Sequence, residues 1–161
     1  MDKTTEITLG TPHLIQSAGL QIFGLRQQYQ CQSNAAIPSQ WNAFLPHFGH
    51  IRGQVGHIAY GVICNFDDAG SYDYICGVEV KELPMDPPEF SGQRIPPATY
   101  AVFEHNGHVS AIAGTWKAIW EHGLADAGYQ VAEGPVLERY DERFDGRTGL
   151  GGMELWVPVK V

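Results

Sequence analysis

Residues 37–48 read IPSQWNAFLPHF and residues 112–123 read IAGTWKAIWEHG. Within them Trp41, Ala43 and Phe44 match Trp116, Ala118 and Ile119 at one offset of 75. Ile37, Trp41, Phe44, Leu45 and Phe48 recur at helical spacing, as do Ile112, Trp116, Ile119, Trp120 and Leu124. Each set predicts an amphipathic helix with one apolar face. Pro38 suits a first helical turn, Pro46 with Gly49 marks the end of the first helix, and Gly128 lies just past the second.

Outward from each helix the flanking residues follow the same order. An extended stretch, Leu14 to Gln30, precedes the first helix. Two β-rich runs, Ile58 to Phe66 and Tyr72 to Leu83, follow it, and Asp67 to Ser71 between them read as a hairpin connection. In the second half a strand from Ala98 to His105 leads to a helix beginning near Ser110, then to strands at Pro135 to Phe144 and Met153 to Val161. Gly77-Val78-Glu79-Val80 and Pro158-Val159-Lys160-Val161 close the two halves. The simplest account is a duplicated β-α-β-β module, with halves at about 12–84 and 94–161 in one domain spanning 1–161. Pro84, Pro87, Pro88, Pro96 and Pro97 predict an extended linker over 84–97 with little secondary structure. Either half alone leaves an open sheet edge and an unburied face. Joined, they predict an α+β fold: one antiparallel sheet, two helices on one face, and a central groove between the helices that can take a small ligand.

Composition narrows the function. The 161 residues, 17.7 kDa, can bury about two thirds of their unfolded surface in one core. Eighteen acids against ten bases give a formal charge of −8, which repels phosphate backbones, tolerates cations and argues against direct nucleic-acid binding. No run of 18 apolar residues and no signal-peptide pattern occurs, so a cytoplasmic protein without a membrane segment is expected. Cys31, Cys64 and Cys76 form no Cys-x-x-Cys pair and suit reduced core thiols. His47 with His50 and His105 with His108 have a spacing a metal could use, but both pairs lie at turns, and no metal site is expected. Serine-hydrolase, nucleotide-loop, dinucleotide and zinc-protease motifs are missing, and no cofactor is expected.

The candidate chemistry lies in the last strands. Alternation places Val136, Glu138, Tyr140 and Glu142 on one face of their strand, and Glu154 with Trp156 on one face of theirs. If the two strands are adjacent and central, two carboxylates and several aromatic rings converge on the groove. Trp41 and Trp116 sit at matching helix positions facing the sheet, and Tyr60 and Tyr74 lie on the first-half strands. A carboxylate among rings is costly to desolvate unless a proton, an arginine or an organic cation offsets its charge. An organic cation gains twice, from the carboxylate and from ring faces at about 0.5 to 2 kcal/mol each.

Leu137-Glu138-Arg139-Tyr140, followed by Glu154-Leu155-Trp156-Val157-Pro158-Val159 and with Gly77-Val78-Glu79-Val80 closing the first half, resembles the GyrI-like effector-binding domains. These domains occur in AraC-type and MerR-type multidrug-responsive regulators and as free-standing proteins, integron cassette products among them. The resemblance runs from about Leu14 to Val161. It implies a pseudo-twofold domain whose groove binds bulky, often cationic lipophilic compounds, with Glu138 as the buried acid. It maps further ligand contacts onto Glu154, Trp156 and Trp116, and less directly onto Tyr60, Tyr74 and Trp41. The regulators join this domain to a helix-turn-helix for which these 161 residues leave no room. The output expected is therefore ligand sequestration or action on a partner.

Glu138 is expected as the main charge partner of a lipophilic cation and Glu154 as the secondary one, with Trp156, Trp116, Tyr60, Tyr140, Trp41 and Tyr74 around them. Two alternatives stand beside this reading. One is a hydrolase of reactive electrophiles using Glu138 or Glu154, as some relatives resemble. The other is a protein-interaction or inhibitor module.

Overall fold

The computed structural model describes residues 9–30, 35–84 and 87–160. Cys31, Met85, Asp86 and Val161, and the start of the chain, lie outside the described residues. Among the described residues eight strands form one curled antiparallel sheet: β1 (His13–Ser17), β2 (Leu20–Gln30), β3 (Gln54–Cys64), β4 (Ser71–Val80), β5 (Ser91–Ile95), β6 (Ala98–His105), β7 (Val136–Tyr140) and β8 (Met153–Pro158), in the order β1-β6-β8-β7-β3-β4-β2-β5. Helix α1 (Ile37–Phe44) lies between β2 and β3, and α2 (Ile112–Ala118) between β6 and β7. The two β-α-β-β halves meet where β3 pairs with β7.

The expected extended stretch from Leu14 to Gln30 is two strands. Gly19, at φ +94°, turns the chain where an added Cβ would lie 2.7 Å from the Ile95 carbonyl oxygen, so only glycine fits. This corner sends β1 to pair with β6 of the second half. The expected linker is likewise interrupted by a strand, β5, which pairs with β2 of the first half. The halves thus exchange edge strands, and the sheet curls so that Ile15, Leu20, Ile95 and Ala98 from its two ends pack into one cluster with Ile22, Tyr60, Val62, Leu137 and Trp156.

Both helices cover the opposite face. Trp41 and Phe44 of α1 pack with Phe23, Tyr72, Tyr74, Cys76 and Val78, while Trp116 and Ile119 pack with Phe103, Val136, Leu155 and Val157. Ile63 touches both groups and so marks the seam between the helices.

Two residues of the expected helix faces point outward. Leu45 is 51% exposed, because α1 ends at Phe44 and the chain tightens into a 3-10 turn, Leu45–His47. Trp120 is 47% exposed, because α2 runs on into a π-helical turn, Ile119–Gly123, whose wider winding shifts the face that meets the sheet. Cys64 and Cys76 are buried free thiols. Among the described residues no helix is long and apolar enough to cross a membrane, and no group of three or more His, Cys, Asp and Glu comes together as metal ligands.

Candidate functional site

The β3–β7 register sets Glu138 directly opposite Gly61, and the β7–β8 register sets it opposite Leu155. Leu155 packs beneath α2, so Glu138 projects from the centre of the sheet toward the helices. It is 5% exposed. The Tyr74 hydroxyl donates to its Oε1 at 2.6 Å, the Tyr140 hydroxyl to the same oxygen at 3.1 Å, and the Trp116 indole N–H to Oε2 at 2.8 Å. Trp41 joins indirectly, its indole N–H donating to the Tyr74 hydroxyl at 3.0 Å. One indole from each helix thus converges on a single carboxylate, one directly and one through a tyrosine.

The electrostatics follow from this enclosure. Burial raises the Glu138 pKa above the usual carboxylate value, against the pull of hydrogen bonds from Tyr74, Trp116 and Tyr140 and of nearby His105. Burial also pushes the Tyr74 and Tyr140 phenols up, with the adjacent Glu138 charge adding to the effect. Both therefore stay protonated and serve as donors. The surroundings are aromatic: Trp41 meets Tyr140 edge-on at 5.4 Å between centroids, and Trp116 stacks at 6.0 Å and 13° on Trp120. Trp41 and Trp116 are both half-buried.

His105 is not available as a ligand or shuttle in this arrangement. Its Nε2 lies 2.8 Å from the His108 carbonyl oxygen, which can only accept, so Nε2 carries a proton. Its Nδ1 meets Thr115 Oγ1 at 2.7 Å. These bonds tie β6 to α2 beside Trp116.

Of the eight residues expected at the groove, five come together: Glu138, Tyr140, Trp116, Trp41 and Tyr74. Glu154, Trp156 and Tyr60 do not join them. Glu154 pairs in register with Arg139 and Trp156 with Leu137, which places them on the face away from the helices. There Arg139 Nη1 donates to Glu154 Oε1 at 3.3 Å, the Trp156 indole N–H donates to the same oxygen at 3.1 Å, and the guanidinium lies 5.9 Å from the Trp156 ring centroid. Tyr60 stands opposite Arg139 in the β3–β7 register and packs into the curl of the sheet. The expected convergence of two carboxylates is therefore corrected: Glu154 already holds an arginine, while among the described residues Glu138 has no ion pair with an arginine or lysine.

A family model described as the GyrI-like small molecule binding domain matches residues 11–160. The chain belongs to this family. This GyrI-like domain is 33% identical over 125 residues to the transcriptional regulator BrlR of Pseudomonas aeruginosa, a match that covers 76% of this chain and 46% of BrlR. It thus spans about half the length of that relative. Among solved structures it is similar to SAV2435 bound to tetraphenylphosphonium, with a TM-score of 0.70 and 22% identity over 92% of this chain and 93% of the other. It is also similar to the integron cassette protein VCH_CASS2 from the mobile metagenome of Vibrio cholerae, with a TM-score of 0.65 and 14% identity over 94% of this chain and 97% of the other. At such identities the two structures share a fold with this chain.

One residue beside Glu138 escaped the sequence reading. A Cβ added to Gly61 would lie 2.7 Å from Glu138 Oε1 and closer still to the Tyr74 hydroxyl. The missing side chain is the space that carboxylate and phenol share. A glycine inside an apolar strand, between Tyr60 and Val62, was the available signal, since strand glycines mark close approach.

Proposed function

We propose that this domain binds lipophilic, cationic small molecules between its two helices, with Glu138 as charge partner and Trp41, Trp116, Tyr74 and Tyr140 as walls. The observation that carries the proposal is the unbalanced charge of Glu138. Among the described residues it takes hydrogen bonds only from neutral groups, while Glu154 and Asp73 each hold an arginine. Neutral donors stabilise the anion but bring no opposite charge; a cation with an apolar body supplies that charge and covers the rings. The tetraphenylphosphonium carried by SAV2435 is a cation of this kind. Glu154, Trp156 and Tyr60 are left out of the proposed wall.

Titration with tetraphenylphosphonium tests the proposal, because Trp41 and Trp116 report on the site by fluorescence. With about 25 heavy atoms at roughly 0.3 kcal/mol each, binding should lie near the micromolar range. No change in tryptophan emission and no heat on titration would remove the reading. Trp116→Phe keeps a ring but removes the donor to Oε2; it should weaken tetraphenylphosphonium roughly three- to tenfold, by the worth of one charge-assisted hydrogen bond and some ring area. Equal affinity in that variant would take Trp116 out of the site. Turnover of an electrophilic ligand, lost on replacing Glu138, would make the protein a hydrolase instead.

A further inference from the structure

The donors around Glu138 are shared unevenly between its two oxygens. Tyr74 and Tyr140 both donate to Oε1, and Trp116 donates to Oε2. A carboxylate oxygen has two lone-pair directions, so Oε1 is saturated while Oε2 keeps one open. This decides where a proton sits when the acid is neutral. On Oε1 it would force a tyrosine hydroxyl to turn away and lose its bond; on Oε2 it displaces nothing. The protonated acid therefore has its carbonyl at Oε1, accepting from both phenols, and its hydroxyl at Oε2, accepting from the Trp116 indole. Among the described residues Trp116 is the one group hydrogen-bonded to Oε2, so the new O–H finds no acceptor there. A buried donor without an acceptor gains a bond from any oxygen or nitrogen that reaches it.

We propose that the site takes a second class of ligand: neutral, apolar molecules with one strong hydrogen-bond acceptor, such as a phosphoryl or carbonyl oxygen or a ring nitrogen, held by a hydroxyl at Glu138 Oε2. The proposal rests on the reading of the space between the helices as a ligand site and adds a neutral class to the cations. The same rings serve both classes, and a single proton sets which is held. Burial favours the protonated acid, raising the Glu138 pKa. The other titratable groups that act on it are Tyr74 and Cys76 of β4, Tyr140 of β7 and His105 of β6. Burial pushes both phenols and the thiol up, so all three keep their protons. His105 is fixed between Thr115 and the His108 carbonyl. From β3 and β8 the acid faces Gly61 and Leu155, and the helices bring indoles, Trp116 directly and Trp41 through Tyr74.

Triphenylphosphine oxide is the probe. It is neutral, keeps three of the four rings of tetraphenylphosphonium, and carries one strongly accepting oxygen. Each compound is titrated calorimetrically from about pH 5 to about pH 8, in two buffers of different ionisation heat. The oxide should bind more tightly as pH falls, by up to about tenfold for each unit above the Glu138 pKa, because its apparent affinity follows the protonated fraction. Its binding should take up a proton, whereas that of tetraphenylphosphonium releases one. Both linkages should vanish in Glu138→Gln; if they persist there they belong to another group, such as His105, and the proposal is overturned. Should that variant not fold, the opposite proton counts of the two compounds in the unmodified protein remain the test. Oxide that binds without proton uptake, or fails to bind where tetraphenylphosphonium binds, overturns the neutral class and leaves the cation reading intact. Failure of both compounds at every pH overturns both.

Discussion

Glu138→Gln should lower tetraphenylphosphonium affinity by roughly 30- to 1,000-fold, or about 2 to 4 kcal/mol, while leaving the fold at least as stable at neutral pH. The loss follows from removing the one charge that nothing else in the cluster balances. Stability is held because glutamine removes a buried charge and its oxygen can still accept from Trp116, while the Tyr74 and Tyr140 hydroxyl protons lose their shared acceptor and offset part of that gain. The sign of the pH dependence is fixed by the direction of the shift. A carboxyl whose pKa is higher folded than unfolded adds stability that is fully present below its unfolded value, near 4.5, and lost as pH rises through the raised folded value. Wild type should therefore gain on Glu138→Gln as pH falls from neutral toward 4.5 in thermal unfolding, and fall behind it above that window. Ligand affinity runs the other way. It weakens as pH drops through the raised Glu138 pKa, and this dependence disappears in the glutamine variant. A variant that keeps its cation affinity, or a wild type whose affinity ignores pH across that range, would contradict the assignment.

How much of this was legible beforehand depends on which physical constraint fixes each element. The helices announce themselves through apolar spacing, and the match of Trp41 to Trp116 already implies two equivalent elements over one sheet. Alternation also places Glu138 and Tyr140 side by side. It does not say which face of the sheet they share with Glu154. That is set by inter-strand register, and since Glu138 pairs with Leu155, Glu154 belongs to the other face. One residue of register therefore moves Glu154 and Trp156 out of the groove. The strand β5 was illegible for another reason. Ser91-Gly92-Gln93-Arg94-Ile95 has almost no apolar alternation and lies among prolines; pairing with β2 makes it a strand. Leu45 and Trp120 show the limit of helical periodicity, which presumes one winding throughout, whereas the first helix tightens after Phe44 and the second widens after Ala118.

Gly61→Ala should damage both the fold and the site, and the coupling between the two losses is the informative part. The new methyl group would stand 2.7 Å from Glu138 Oε1, and the nearest atom it meets is the Tyr74 hydroxyl oxygen, with the ring carbon bearing that oxygen at 2.9 Å. Neither neighbour is a loose chain end. Tyr74 is 2% exposed and its hydroxyl is held by Glu138 and the Trp41 indole, while Glu138 is held by three donors. Overpacking of this kind costs about 1 to 3 kcal/mol, so the melting temperature should fall by roughly 3 to 10 °C in a chain of this size. Displacing the carboxylate or the phenol also breaks the shortest hydrogen bond of the cluster, and tetraphenylphosphonium affinity should drop about tenfold or more. Removing the obstructing oxygen tests the cause. In the wild-type background Tyr74→Phe takes a donor from Glu138 and an acceptor from Trp41 and is destabilising; in the Gly61→Ala background the same change also relieves the closest contact. The double variant should therefore be more stable than the sum of the single losses by about 1 kcal/mol. Simple additivity would mean that the glycine is kept for strand geometry alone, and that the room it leaves is not what allows a buried acid to sit between the two helices.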